Sequence, residues 1–93
     1  MRRLILTNTA KKDLAALDKV IQKRIQTALD KMMDNPESAP LKKLKGEPEE
    51  WSLRVGDWRV IMYFDRLGDI ACIDRIKHRS NVYRKRGHRK RDR

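Results

Sequence analysis

The apolar residues change period near the middle of the chain. Leu4-Ile5-Leu6 is a short apolar run that reads as a strand. Thr7, Asn8 and Thr9 follow with N-cap oxygens, so a first helix is expected over residues 9–17, with Leu14 and Leu17 on one side. Ile21, Ile25, Ala28, Leu29 and Met32 then recur at helical spacing, while Lys23, Arg24, Gln26 and Lys31 turn to water; Asn35-Pro36 ends this second helix. Two adjacent amphipathic helices with almost no linker predict a helical hairpin. Residues 36–48 read as a connector, with Pro36, Pro40 and Pro48 around the basic stretch Lys42-Lys43-Leu44-Lys45-Gly46. Beyond it the period is two. Trp51, Leu53 and Val55 alternate with Ser52 and Arg54, Gly56-Asp57 suits a tight type II′ turn, and residues 58–64 return as a second strand. After a turn at 65–69, residues 70–76 form a third strand that is apolar on both faces: Ile70, Cys72 and Ile76 on one, Ala71 and Ile73 on the other. The order β-α-α-β-β-β is α+β, a small, mostly antiparallel sheet with both helices on one face.

The turn fixes the hairpin register. With Gly56 and Asp57 in the loop, Val55 faces Trp58, Arg54 faces Arg59, Leu53 faces Val60 and Trp51 faces Met62. Trp51, Leu53, Val55, Trp58, Val60 and Met62 then share the core face, and Ser52, Arg54, Arg59, Ile61 and Tyr63 the other. Facing arginines cost up to about 1 kcal/mol. Two guanidiniums on one sheet face make a phosphate clamp; alternatively each pairs with an acid such as Asp57 or Asp74.

Charge sharpens this picture. The 93 residues carry a formal net charge of +11. Residues 1–40 hold eight basic and five acidic residues, residues 41–93 sixteen and eight, and residues 77–93 alone nine basic and one acidic. So positive a field attracts polyanions, nucleic acid first among them. The length suits one domain with a modest core, so an active site should be a shallow surface or groove. The single cysteine, Cys72, forms no intrachain disulfide. Met1-Arg2-Arg3 is followed by only three apolar residues, and no segment approaches the roughly 20 that a membrane helix needs. A soluble, cytoplasmic protein with no membrane partner is expected. No zinc-type Cys/His spacing, glycine-rich phosphate loop or Ser-His-Asp arrangement is present, so neither a metal nor a small-molecule cofactor is expected. Asp13, Asp18 and Asp30 read as solvated helix-face acids, and Cys72 as a small buried apolar residue.

Three stretches in order carry a resemblance: Leu41-Lys42-Lys43-Leu44-Lys45-Gly46, then Trp51-Ser52-Leu53-Arg54-Val55-Gly56-Asp57-Trp58-Arg59-Val60, then Ile76-Lys77-His78-Arg79-Ser80-Asn81-Val82-Tyr83. With the helical hairpin before them, they make residues 2–84 resemble the RelE/ParE toxin superfamily, in its RelE-like branch. The resemblance implies a RelE-like domain over 1–84 followed by a basic tail, 85–93. It implies a toxin of a type II toxin–antitoxin pair with a cognate acidic antitoxin. The activity it implies is ribosome-dependent, metal-free cleavage of messenger RNA, in which the ribose 2′-OH attacks the adjacent phosphate and leaves a 2′,3′-cyclic phosphate. The positions matching the family's functional residues are Arg54, Arg59, Lys77, His78, Arg79 and Tyr83.

The residue chemistry agrees. Arg54, Arg59 and Arg79 can neutralise the transition-state phosphate. His78 is of the residue type best suited to moving a proton at neutral pH, or is simply a polar surface residue. Lys77 can act as the base if neighbouring cations lower its pKa. Tyr83 can stack on a base or pack against the sheet edge. Lys42, Lys43 and Lys45, with Arg84, Lys85 and Arg86, are candidate RNA-binding cations. Some RelE-like toxins carry lysine where Ser52 stands here, a departure that bears on the base. The tail either adds affinity for ribosomal RNA or orders only on binding. Two other functions share these features: a ParE-like protein that poisons DNA gyrase without cleavage, and a non-catalytic RNA-binding module.

Overall fold

A computed structural model describes residues 3–44 and 50–80. The elements are β1 (Arg3–Leu6), α1 (Asn8–Ala15), α2 (Lys19–Asp34), β2 (Leu41–Leu44), β3 (Glu50–Val55), β4 (Trp58–Phe64) and β5 (Ile70–His78), with a 3-10 turn at Pro36–Ser38. They form one sheet in the order β1-β5-β4-β3-β2, antiparallel except where β1 runs parallel to β5.

Local chemistry sets the helix ends. The Thr7 hydroxyl accepts from the Ala10 amide and donates to the Asp74 carbonyl, each at 3.0 Å, so one side chain caps α1 and ties it to β5. Asp18 caps α2 by accepting from the Ile21 amide at 3.0 Å. The Gln22 amide donates to the carbonyls of Leu14 at 3.0 Å and Leu17 at 2.9 Å. Those carbonyls end α1, so a side chain of α2 satisfies them and closes the hairpin.

Ala10 of α1 and Ile25, Leu29 and Met32 of α2 meet Leu53, Val60, Met62, Ala71, Ile73 and Ile76 of the sheet in one buried cluster. Trp51, Val55 and Trp58 pack against it as the hairpin register predicted.

Three expectations need correction. Residues 41–44 are a strand, not part of a connector: Leu41 pairs with Leu53 and Lys42 with Ser52 on the outer side of β3. Two lysines in a four-residue run hide its strand character, yet they suit an edge strand that must not recruit another chain. Next, the apolar residues of β5 divide differently: Ile76 shares the core face with Ala71 and Ile73, not the other face with Ile70 and Cys72. Ile61 pairs with Arg75 and Met62 with Ile73, which leaves Asp74 as an extra residue, a bulge. The bulge shifts the alternation by one, so Ala71, Ile73 and Ile76 all reach the same core.

The last correction concerns Asp13, which is not solvated. Its side chain is 19% exposed, and one carboxylate oxygen accepts from Arg75 Nε and from the Ile76 amide, both at 2.9 Å. The pairing of β1 with β5 ends at Leu6–Ile73, so Asp13 supplies from α1 an acceptor that the sheet no longer offers. Asp13→Ala is expected to lower the free energy of unfolding by about 1–3 kcal/mol, the cost of stranding a buried donor. Urea unfolding measures this; an unchanged midpoint would show that the contact adds nothing.

Candidate nucleic-acid interface

Gly56 opens the β3–β4 turn with φ +61°, a conformation costly for residues with a Cβ. Val55 then pairs with Trp58, and Arg54 with Arg59. On its other side Arg59 pairs with Lys77 of β5. Three cations from three strands therefore form one row across the sheet face opposite the helices. The row is anchored at its middle: Arg59 Nη1 donates to the carbonyls of Gly56 at 3.1 Å and Trp58 at 3.0 Å. The alternative of an acid partner is not seen. Among the described residues no carboxylate lies within ion-pair distance of Arg54 or Arg59. Arg54 and Arg59 therefore face each other with no neutralising acid among the described residues.

The other candidates divide by the alternation of the strands. Lys77 joins the arginine row, but its neighbour His78 pairs with Trp58 and so belongs to the opposite face, its ring edge-on to the indole at 5.0 Å. His78 Nδ1 accepts from the Ser80 amide at 3.3 Å and lies 2.9 Å from the Ser80 hydroxyl, so the neutral ring carries its proton on Nε2. Arg79 crosses to the hairpin turn. Its amide donates to the Asp57 carbonyl at 2.7 Å, and its guanidinium stands 3.8 Å from the Asp57 carboxylate. Lys42 faces Ser52 and shares the arginine side, whereas Lys43 faces Trp51 and does not. Ser52 is buried despite lying on the open face. Lys45, Tyr83, Arg84, Lys85 and Arg86 lie outside the described residues.

Further down the same face the chemistry changes. The Tyr63 hydroxyl donates to the Glu50 carboxylate at 2.8 Å. That bond, then burial and the charges of Glu50, Asp74 and Cys72, push the phenol up to about 12. Glu50 was not singled out from the sequence, although extending the hairpin register by one pair past Trp51–Met62 puts it opposite Tyr63. No group of three or more potential metal ligands occurs among the described residues. None of their helices is long and apolar enough to cross a membrane.

The family model of the ParE toxin of type II toxin–antitoxin systems, parDE, matches residues 4–83. The chain belongs to this family. No curated protein matches it. The toxin is similar in structure to the RelE–RelB complex of Pyrococcus horikoshii OT3, with TM-score 0.70 and 25% identity over 84% of this chain and 94% of that one. A similar match is the toxin–antitoxin complex RelBE2 of Mycobacterium tuberculosis, with TM-score 0.70, 26% identity, and coverage of 84% and 98%. The isolated RelE toxin of E. coli shares the fold at TM-score 0.69 and 17% identity, over 92% of this chain and 95% of that one. The resemblance to the RelE-like branch of the RelE/ParE superfamily thus holds, as does the α+β architecture, with β2 added to its order.

The Tyr63–Glu50 bond has a measurable signature. Tyr63 should ionise near pH 12 and not near 10, and Glu50→Gln should bring it back toward 10. Because the folded value lies above the unfolded one, the stabilisation is complete below pH 10 and is lost as pH rises from 10 to 12. Alkaline titration of phenolate absorbance checks both. A Tyr63 midpoint that Glu50→Gln leaves in place would refute the assignment.

Proposed function

We propose that this toxin is a ribosome-dependent endoribonuclease that cleaves messenger RNA. The observation that carries the reading is the row Arg54–Arg59–Lys77, with both arginines lacking an acid partner among the described residues. Unneutralised like charge costs stability, and a phosphate bound across the row offsets that cost.

In the reaction the ribose 2′-oxygen attacks phosphorus, the bond to the 5′-oxygen breaks, and a 2′,3′-cyclic phosphate and a 5′-hydroxyl result. Arg54 and Arg59 hold the phosphate oxygens as negative charge gathers on them. The 2′-OH proton passes to an amine on the same face, Lys77 beside Arg59 or Lys42 across from Ser52, and an acid returns a proton to the leaving oxygen. Lys42 places a cation next to Ser52, where some relatives carry lysine. His78, on the other side of β5, serves at the strand end, against the bound RNA or the ribosome, and Arg79 adds charge beside the turn. Tyr83 stacks on a base, and Lys43, Lys45, Arg84, Lys85 and Arg86, with the rest of the 85–93 tail, add salt-dependent affinity. A short acidic antitoxin neutralises the toxin by covering the arginine face; the similar P. horikoshii and M. tuberculosis structures are such complexes. The cytoplasm, where ribosomes are, is the proposed site of action.

The family match favours a second reading, a ParE-like poison of DNA gyrase. Inducible expression separates the two. Growth arrest with messages cut inside translated codons is expected; intact messages with accumulating gyrase–DNA cleavage complexes would establish the second reading instead.

Arg59→Leu is expected to abolish toxicity while changing the free energy of unfolding by no more than about 1 kcal/mol. Relief of the like-charge pair offsets the loss of the two carbonyl contacts. A growth assay and thermal unfolding of this variant check both; full toxicity, or a large fall in stability, would contradict the role.

A further inference from the structure

The face that carries the arginine row also carries an acid, Glu50, which is bonded to the phenol of Tyr63. Along β4, residues 59, 61 and 63 alternate onto this face, and along β3 residues 54, 52 and 50 do the same. Tyr63 and Glu50 therefore lie two rows below Arg59 and Arg54, about 14 Å along the strands. The helices bury their apolar sides against the other face. Both Tyr63 and Glu50 remain partly exposed. Only Glu50 Oε2 is engaged by the phenol, and Oε1 has no hydrogen-bond partner among the described residues.

A carboxylate on a cationic, RNA-facing sheet repels phosphate, so backbone binding does not explain it. It does suit a nucleobase that presents N–H donors. Guanine offers two adjacent donors, N1–H and N2–H, which match the two oxygens of a carboxylate. Adenine and cytosine offer one amino group each. Uracil offers one N–H flanked by two carbonyl oxygens, which the carboxylate repels. Single-stranded RNA is read in this way, on splayed bases whose Watson–Crick edges are free, with aromatic rings as stacking platforms.

We propose that Tyr63 and Glu50 form a base-reading site, in which the Glu50 carboxylate, held in place by the Tyr63 hydroxyl, selects guanine over uracil a few nucleotides from the phosphate on the arginine row. This rests on the reading of the open face as an RNA surface. The phenol stays protonated through the physiological range, so it remains a donor and keeps the carboxylate fixed. Tyr63 is a positioning residue for Glu50 as well as a platform for the base.

The test is fluorescence anisotropy with the full-length protein and four short single-stranded RNAs, 2′-O-methylated so that they are not cut, differing only in one central base. Wild type should bind the guanine strand about tenfold more tightly than the uracil strand, the order of discrimination a bidentate base contact gives. Glu50→Gln should bring the two affinities together, chiefly by weakening the guanine complex, with the uracil complex unchanged or tighter. Tyr63→Phe, which keeps the ring, should fall between. Equal binding of all four strands by wild type, or an undiminished preference in Glu50→Gln, would overturn the site while leaving the RNA reading intact. Failure of wild type to bind any of the strands would overturn that reading and this site with it.

Discussion

A two-residue turn can close a hairpin only in one register, and in this toxin that register sorts the chemistry of the molecule. Gly56 and Asp57 take the loop, so Val55 meets Trp58 and every later pair follows. Leu53, Val60 and Met62 go to the helices and become core. Arg54 and Arg59 go to the other side, where nothing among the described residues neutralises them. A slip of one residue would expose the core residues and bury the guanidiniums, a loss of several kcal/mol from the apolar side chains alone. The energy that stabilises the fold thus also holds two like charges face to face.

The bulge at Asp74 extends the same sorting to β5. Before it, odd-numbered residues face the helices; after it, even-numbered ones do. Ile76 therefore joins the core, Lys77 lines up with Arg59, and His78 turns to Trp58. Without the extra residue, His78 would have joined the arginines and Lys77 would not. The contact from Asp13 to Arg75 and to the Ile76 amide secures β5 immediately after this irregularity. Helix α1 thereby supports the alignment of the cationic row from the far side of the sheet.

What the sequence made legible follows from how local each signal is. The helical hairpin and the β3–β4 register rest on periodicity and one turn, both contained in short windows, and both were readable. Strand β2 was not, because four residues with two central lysines carry no alternation, and its strand character comes from its pairing with β3. The bulge was invisible because one extra residue leaves no mark on a strand that is apolar at so many positions; it shows only in the pairing of β5 with β4. The site was legible to the same degree. Arg54 and Arg59 came out of the register, whereas Lys77-His78-Arg79 and Lys42-Lys43 read as clusters and are divided by strand alternation. Glu50 went unread because its meaning depends on Tyr63, thirteen positions away in sequence.

The central claim is that RNA binds the sheet face opposite the helices. A rival surface exists on the same molecule: Lys23, Arg24 and Lys31 rim a shallow apolar groove between α2 and Val55. Chemical-shift mapping with a short uncleavable RNA distinguishes them directly. The largest shifts are expected on Arg54, Arg59, Ile61 and Lys77, with the α2 stripe near its free values. Shifts concentrated on Lys23, Arg24 and Lys31, with the arginine row undisturbed, would contradict the claim.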